Sequence, residues 1–387
     1  MAEPRVYLDY NASAPLLPAA RTAMLAAMDV TGNASSVHGE GRALRRIVEG
    51  ARADVAGLVG GRPEHVVFTS GATEAATTLL TPGWRMGRSP LRMGHLYVSA
   101  ADHPCILSGG RFAADAVTRI GVDGNGVIDV AALESALAAH DGDSGLALVA
   151  VHAANNETGV IQPVVRIAEI VKAAGGVLVV DAVQAAGRIP LDMTGSSGDF
   201  LILSAHKIGG PKGVGAFVGK ADLMMPAPLV SGGGQEKGFR AGTENVVGIA
   251  GFGAAAREAL TALERLETAR AKRGLIEASI RRAAPDAQIF GAAVERLANT
   301  VFFAVPDVKA ETAQIAFDLA GIAVSAGSAC SSGKVGPSHV LKAMGVSRPE
   351  GGLRVSIGEE TSLAEIERFA AALAGIAARR SADSKAA

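Results

Sequence analysis

Short apolar runs alternate with stretches of helical period through the first two-thirds of the chain. His65 to Thr69, Leu96 to Ser99, Leu146 to His152, Val177 to Val180 and Phe200 to Leu203 are four to seven residues long, and read as buried strands. Between them, Arg42 to Val59 and Val164 to Ala174 repeat their apolar positions at helical spacing. This alternation predicts an α/β layered domain with a mostly parallel sheet. Ahead of it, Val6 to Asp9 reads as a short strand, Asn11 to Pro15 breaks it, and a helical stretch runs to about Met28. Gly32 to Gly41 is too rich in Gly, Ser and Asn for regular structure.

After Phe217 the pattern changes. A glycine-rich loop, Ser231 to Asn245, precedes a helical tract from Val246 to Ala284. Then comes an α+β pattern, with strands near Thr300 to Ala304, Ala323 to Ser325 and Leu353 to Ile357, and helices near Ala310 to Leu319 and Leu363 to Ala378. The final residues, RRSADSKAA, read as a frayed tail. We expect a large domain over 15–255 and a small one over 1–14 and 256–387, the latter carrying a glycine- and serine-rich loop at 325–337.

Composition narrows the function. The 387 residues are 49% apolar and 19% charged, enough for a large core divided between two domains. Lys and Arg number 37 against 38 Asp and Glu, which argues against a nucleic-acid binder or a membrane-surface protein. No basic segment followed by an apolar core opens the chain, and no apolar run reaches membrane-spanning length, so a cytoplasmic protein is expected. With Cys105 and Cys330 as the only cysteines, neither a disulfide framework nor a protein-only metal cage is expected.

In open α/β sheets ligands collect beyond the carboxyl ends of the strands, and there this chain concentrates its chemistry. Lys207 follows the strand Phe200 to Leu203, ahead of the turn Gly209-Gly210-Pro211. A lysine in a partly dry pocket becomes an amine nucleophile that forms a Schiff base with an aldehyde, the way pyridoxal phosphate is held; in water it is an ordinary turn residue. Thr69 to Glu74 leaves a strand to open a helix, where backbone amides and the Thr73 hydroxyl suit a phosphate, though Ser70 also fits a simple helix cap. Asp181 ends the run VLVV and suits a pyridinium nitrogen or a cap, and Gln184 lies within reach of a ring oxygen. His103, in ADHPC, suits ring stacking and proton transfer or a plain surface role. Asn155-Asn156-Glu157 offers amides to a ligand or to a turn. Each motif is weak alone, but all fall in order at successive strand ends.

In sequence order, TSGATE, ADHP, ANNETG, DAVQAAG, SAHKIGGPKGVGA, RAGTEN, GSACSSG and RVSIG resemble the cysteine desulfurases of nitrogen fixation and iron-sulfur assembly, in the class V branch of fold-type I pyridoxal-phosphate enzymes. The resemblance runs from Tyr7 to about Glu365 and implies a large domain with a mostly parallel seven-stranded sheet. It implies covalent attachment of pyridoxal 5'-phosphate at Lys207, phosphate contacts from Ala72, Thr73, Ser204 and His206, and ring contacts from His103, Asn156, Asp181 and Gln184. It further implies a homodimer in which Thr243 reaches the phosphate of the neighbouring subunit.

Cys330 gives the implied chemistry its direction. It lies among Gly and Ser in Ser325 to Pro337, a segment expected to be mobile and exposed, with Lys334 nearby, whereas Cys105 beside Ile106 and Leu107 is expected to be inert. Arg354 would pair with the carboxylate of L-cysteine, with Asn156 beside it, Lys207 would move the Cα proton, His103 would carry the thiol proton, and the Cys330 thiolate would take the sulfur as a persulfide, leaving alanine. The resemblance also allows Cys330 to ligate an iron-sulfur cluster transiently with a scaffold protein. Ala34 and Glu359 depart from the family pattern away from this chemistry, and the short segment after the last helix puts scaffold docking in question. A selenocysteine lyase or another class V enzyme, and a non-catalytic interaction protein, remain as alternatives; an aminotransferase would have no use for Cys330.

Overall fold

The computed structural model describes residues 4–195, 197–326, 338–347 and 351–386. Its central feature is a nine-stranded sheet, ordered Met224–Pro226, Gly83–Met86, Ser89–Ser99, Leu146–His152, Val177–Asp181, Phe200–Ser204, Gly215–Gly219 and Val66–Thr69, with Val117–Ile120 also paired to Ser89–Ser99. Ser89–Ser99, Leu146–His152, Val177–Asp181 and Phe200–Ser204 pair in parallel. Gly215–Gly219 runs against both its neighbours. The expected seven strands are present, and the antiparallel strands Gly83–Met86 and Met224–Pro226 extend them to nine.

The central strands are apolar throughout because both their faces are covered. Alternate residues divide between two cores. Phe68, Val149, Val151, Val180 and Leu201 pack with Val48 and Val55 of the helix Gly39–Leu58 and with Ile249 and Phe252 of Val246–Ala262. Val67, Leu148, Val179 and Ile202 pack on the opposite face with Ala75, Ala76 and Leu79 of the helix Ala72–Leu79. A third core joins Val6 and Leu8 to Ile276, Ile280, Val301, Phe303, Phe317 and Phe369. Around it lies a four-stranded antiparallel sheet, Gln288–Ile289, Thr300–Ala304, Leu353–Ser356 and Ser325–Ala326, while Val6–Tyr7 pairs in parallel with Ile322–Ala323.

Three expectations are corrected. The tract Val246–Ala283 is long and apolar enough by length and composition to cross a membrane, contrary to the sequence reading. It is a core helix pair, more than half buried in the protein and interrupted by a short 3-10 turn at Leu263–Arg265. The last helix continues to Ala386 where a frayed tail is expected, with Arg380 paired to Asp286. The expected strand Ala323 to Ser325 is two short strands, Ile322–Ala323 and Ser325–Ala326, belonging to different sheets.

The glycine-rich loop is held by a buried ion pair. Arg52 donates to both carboxylate oxygens of Glu236 at 2.7 Å, and the Phe68 backbone N–H donates to the same carboxylate at 2.8 Å. Glu236 and Lys237 take positive φ of 46° and 56°, a left-handed conformation that this pairing sustains.

Candidate active site

The ends of the central strands open on a cavity of about 540 Å³. Lys207 enters it from the 3-10 turn Ala205–Lys207, directly after the strand Phe200–Ser204. Its ammonium donates to the carbonyls of Asn11 at 2.7 Å and Ala12 at 2.9 Å. Two close approaches shape this end of the sheet. Gly209 takes φ +83° in the turn after the lysine, where a Cβ would stand 2.5 Å from Leu17. Gly215 lies so near the turn before Ala72–Leu79 that a Cβ would stand 2.6 Å from the Gly71 backbone carbonyl carbon.

Ala72 and Thr73 open the helix Ala72–Leu79, so their amides are among those without an intrahelical partner and point their dipoles at the cavity. Glu74 holds that turn by accepting the Ser70 N–H at 2.8 Å, and Arg240 in turn donates to Glu74 at 2.9 Å. Ser204, His206 and Lys212 line the same end. Nδ1 of His206 is 3.3 Å from the Ser13 hydroxyl, and burial, with Lys207 and Lys212 close by, pushes the ring's proton affinity down to about 4.

At the other end lies Asp181, buried, with one oxygen accepting the Val183 N–H at 3.0 Å. Burial raises its pKa to about 6; Asp102 adds to the rise, and His152 and Lys207 oppose it. Gln184 donates to the Asn11 carbonyl at 3.0 Å and accepts from Arg188. Arg188 is lowered to about 10 by burial and by Arg354. His103 caps the short helix Pro104–Leu107, and burial, with Lys207 and His339 adding to it, lowers its pKa to about 4, so the ring is neutral near pH 7. The cavity thus offers an amine, a helix N-terminus suited to an anion, and a buried carboxylate suited to a protonated nitrogen.

Ala72, Thr73, His103, Asn156, Asp181, Gln184, Ser204, His206 and Lys207 all line this one cavity. Thr243 does not join them within one chain: it is exposed and lines a neighbouring cavity of about 260 Å³ that also touches Ser70 and Gly213. Arg354 is 1% exposed and lies beneath the cavity wall. It donates to the Asn156 carbonyl at 2.9 Å, Asp9 at 2.7 Å and Ser325 at 3.2 Å, while its Nε finds no hydrogen-bond partner among the described residues. Cys330 and Lys334 lie outside the described residues. Cys105, expected to be inert, also lines the cavity, because the short helix after His103 turns its thiol back onto that ring.

The sequence reading missed Asn11 and the pair Asp102–His152. Asn11 ties the N-terminal segment across the site, donating to Thr300 at 2.9 Å and Asn156 at 3.3 Å while its carbonyl accepts from Lys207 and Gln184. His152 ends its strand as Asp181 does, but only its contact with Asp102 marks it as part of the site. Among the described residues, no cluster of His, Cys, Asp or Glu is placed to hold a metal ion.

The sheet and its flanking helices have the architecture of the fold-type I pyridoxal-phosphate transferases. The chain belongs to the aminotransferase class-V family, whose model matches residues 6–369, and to the cysteine desulfurases within it. It is 40% identical over 373 residues to the cysteine desulfurase of Cereibacter sphaeroides, covering 94% of each chain. A NifS-like protein of Rickettsia africae superposes with a TM-score of 0.86 at 31% identity, over 96% of this chain and 99% of the other. A structure described as SspA in complex with cysteine superposes with a TM-score of 0.74 at 27% identity, over 91% and 98%.

Proposed function

We propose that the chain removes sulfur from L-cysteine with pyridoxal 5'-phosphate held in the 540 Å³ cavity, yielding L-alanine and a persulfide on Cys330. The observation that carries this reading is that Lys207, a buried Asp181 and the N-terminus of the helix Ala72–Leu79 all line one cavity. The residues fit the group. Ala72, Thr73, Ser204 and His206 suit its phosphate, Asp181 its ring nitrogen, Gln184 and Asn156 its ring oxygen side, and His103 its ring face. When bound, pyridoxal phosphate supplies an electrophilic carbon for the substrate amine and a ring that withdraws electrons from Cα.

The chain's own groups do the rest. Lys207 would hold the cofactor covalently, and as a free amine it would move the proton at Cα of the substrate. Asp181 keeps a proton on the ring nitrogen, which requires it to be ionised. His103, neutral near pH 7, takes the proton of the substrate thiol. Arg354 recognises the substrate carboxylate by exchanging its present partner Asp9. The Cys330 thiolate then attacks the substrate sulfur: the C–S bond breaks, an S–S bond forms, and the released carbon gains a proton to give alanine.

We read the domains as 15–255 and 1–14 with 256–387, and the working form as a cytoplasmic homodimer in which Thr243 completes the partner's phosphate site. Its exposure, one cavity away from its own chain's site, supports this. The persulfide would pass to an acceptor or iron-sulfur scaffold protein. The deciding experiment is mass spectrometry of the Cys330 peptide after exposure to L-cysteine, with alanine measured alongside, in wild type and Cys330→Ala. A gain of one sulfur atom, absent from the variant, is expected. Equal alanine or keto acid from both proteins would overturn sulfur transfer through Cys330 and favour a lyase or aminotransferase.

A further inference from the structure

The most deeply buried polar pair around the cavity has no part in the steps above. Asp102 is 0% exposed and His152 is 3% exposed. One Asp102 oxygen accepts His152 Nδ1 at 2.5 Å and the His152 backbone N–H at 2.8 Å, and the other accepts the Ser99 N–H at 2.8 Å. The two Asp102 oxygens already accept backbone N–H groups, so the side chain acts as an acceptor and the hydrogen of the Asp102–His152 bond is assigned to Nδ1. His152 Nε2 has no hydrogen-bond partner among the described residues, although the residue lines the cavity. A buried nitrogen left unpaired is unfavourable, and such atoms in native structures call for a reason.

The reason lies one strand away. His152 and Asp181 are directly opposite one another on the parallel ladder, so their side chains stand on the same face of the sheet. We propose that Asp102, His152 and Asp181 act as one Asp–His–Asp unit, in which His152, held by Asp102 through Nδ1, favours the ionised form of Asp181 that the ring nitrogen of the bound cofactor needs. His152 is then a positioning residue for the reaction. This rests on the pyridoxal-phosphate reading of the cavity.

The electrostatics agree with the geometry. Asp181 is opposed by burial and by the charge of Asp102, and favoured by His152 and Lys207. Lys207 is engaged by the cofactor on covalent attachment, which leaves His152 as the favourable side chain among those three that the reaction does not consume. The remaining titratable neighbours do not take its place. His103 is neutral near pH 7, and His339 directs Nε2 to the Asp102 backbone carbonyl at 2.8 Å.

His152→Asn separates this role from simple packing, because an asparagine amide retains the bond to Asp102 but removes the imidazole beside Asp181. Each purified variant is titrated with pyridoxal 5'-phosphate, with affinity and the visible absorption spectrum as readouts. Affinity is expected to fall about tenfold, the equivalent of one pKa unit, and the spectrum to move in the direction that Asp181→Asn moves it. Adding Asp102→Asn removes the repulsion between the two carboxylates, and the double variant is expected to recover at least half of the loss on a logarithmic scale. His152→Asn with wild-type affinity and spectrum, or a double variant as weak as the two single losses combined, overturns the inference. Wild type that takes up no pyridoxal phosphate overturns the cofactor reading and this inference together; wild type that binds it while His152→Asn is unchanged overturns this inference alone.

Discussion

The thiol of Cys105 lies 3.0 Å from Nδ1 of His103, the nitrogen that also accepts the Cys105 backbone N–H at 3.2 Å. Two donors on one neutral ring nitrogen leave the imidazole hydrogen on Nε2. Cys105 therefore helps to hold the hydrogen on Nε2 and the lone pair on Nδ1.

Cys105→Ala removes one of the two donors and keeps the other. A neutral hydrogen bond contributes about 0.5–1.5 kcal/mol, so kcat for alanine formation is expected to fall by roughly two- to tenfold. Persulfide on Cys330 should still form. Steady-state kinetics with peptide mass analysis check both.

Asp181→Asn should stabilise the protein without cofactor while weakening cofactor binding. The folded pKa of Asp181 is raised from 3.8 to about 6, so its contribution to stability is present below 3.8 and is lost as pH rises through 6. Without cofactor, the variant should therefore melt above wild type at pH 7.5 and draw level near pH 4. Calorimetry at the two pH values tests this; a variant that melts below wild type at pH 7.5 contradicts it.

Arg52→Ala leaves Glu236 buried without its partner. Breaking a buried pair of this kind costs about 3–5 kcal/mol. The loop Ser231 to Asn245 should loosen with it, so cofactor affinity is expected to drop through Thr243 as well. Denaturant unfolding and a cofactor titration read the two effects separately.

Gly215→Ala places a methyl group 2.6 Å from the Gly71 backbone carbonyl carbon and 2.7 Å from the Leu203 carbonyl oxygen, both backbone atoms that cannot swing aside. The turn ahead of Ala72–Leu79 must shift, and the amides of Ala72 and Thr73 shift with it. Cofactor affinity should fall by tenfold or more, with a smaller change in melting temperature. Equal affinity in wild type and variant would show that these amides bear no load in binding.

Most of the large sheet was legible because its strands are buried on both faces and read as unbroken apolar runs. The strands Gly83–Met86, Val117–Ile120 and Met224–Pro226 were not. GWRM is largely exposed, VTRI is only partly buried and so carries polar residues, and Met224–Pro226 is only three residues long. Lys207, Asp181 and His103 were legible as polar residues placed where apolar strands stop. His152 stops a strand too, but a lone histidine announces nothing until Asp102, fifty residues earlier, is seen against it.

By itself, then, the sequence determined which segments form strands and which polar residues lie at their ends, since both follow from local periodicity and from the exclusion of charge from a two-sided core. Only the tertiary structure decided which of those residues meet. The parallel register sets His152 opposite Asp181, the antiparallel return of Gly215–Gly219 brings Gly215 against Gly71, and the N-terminal segment carries Asp9 to Arg354 across 345 residues of chain. Such meetings depend on the pairing of strands distant in sequence, and no local pattern encodes a distance between two strands.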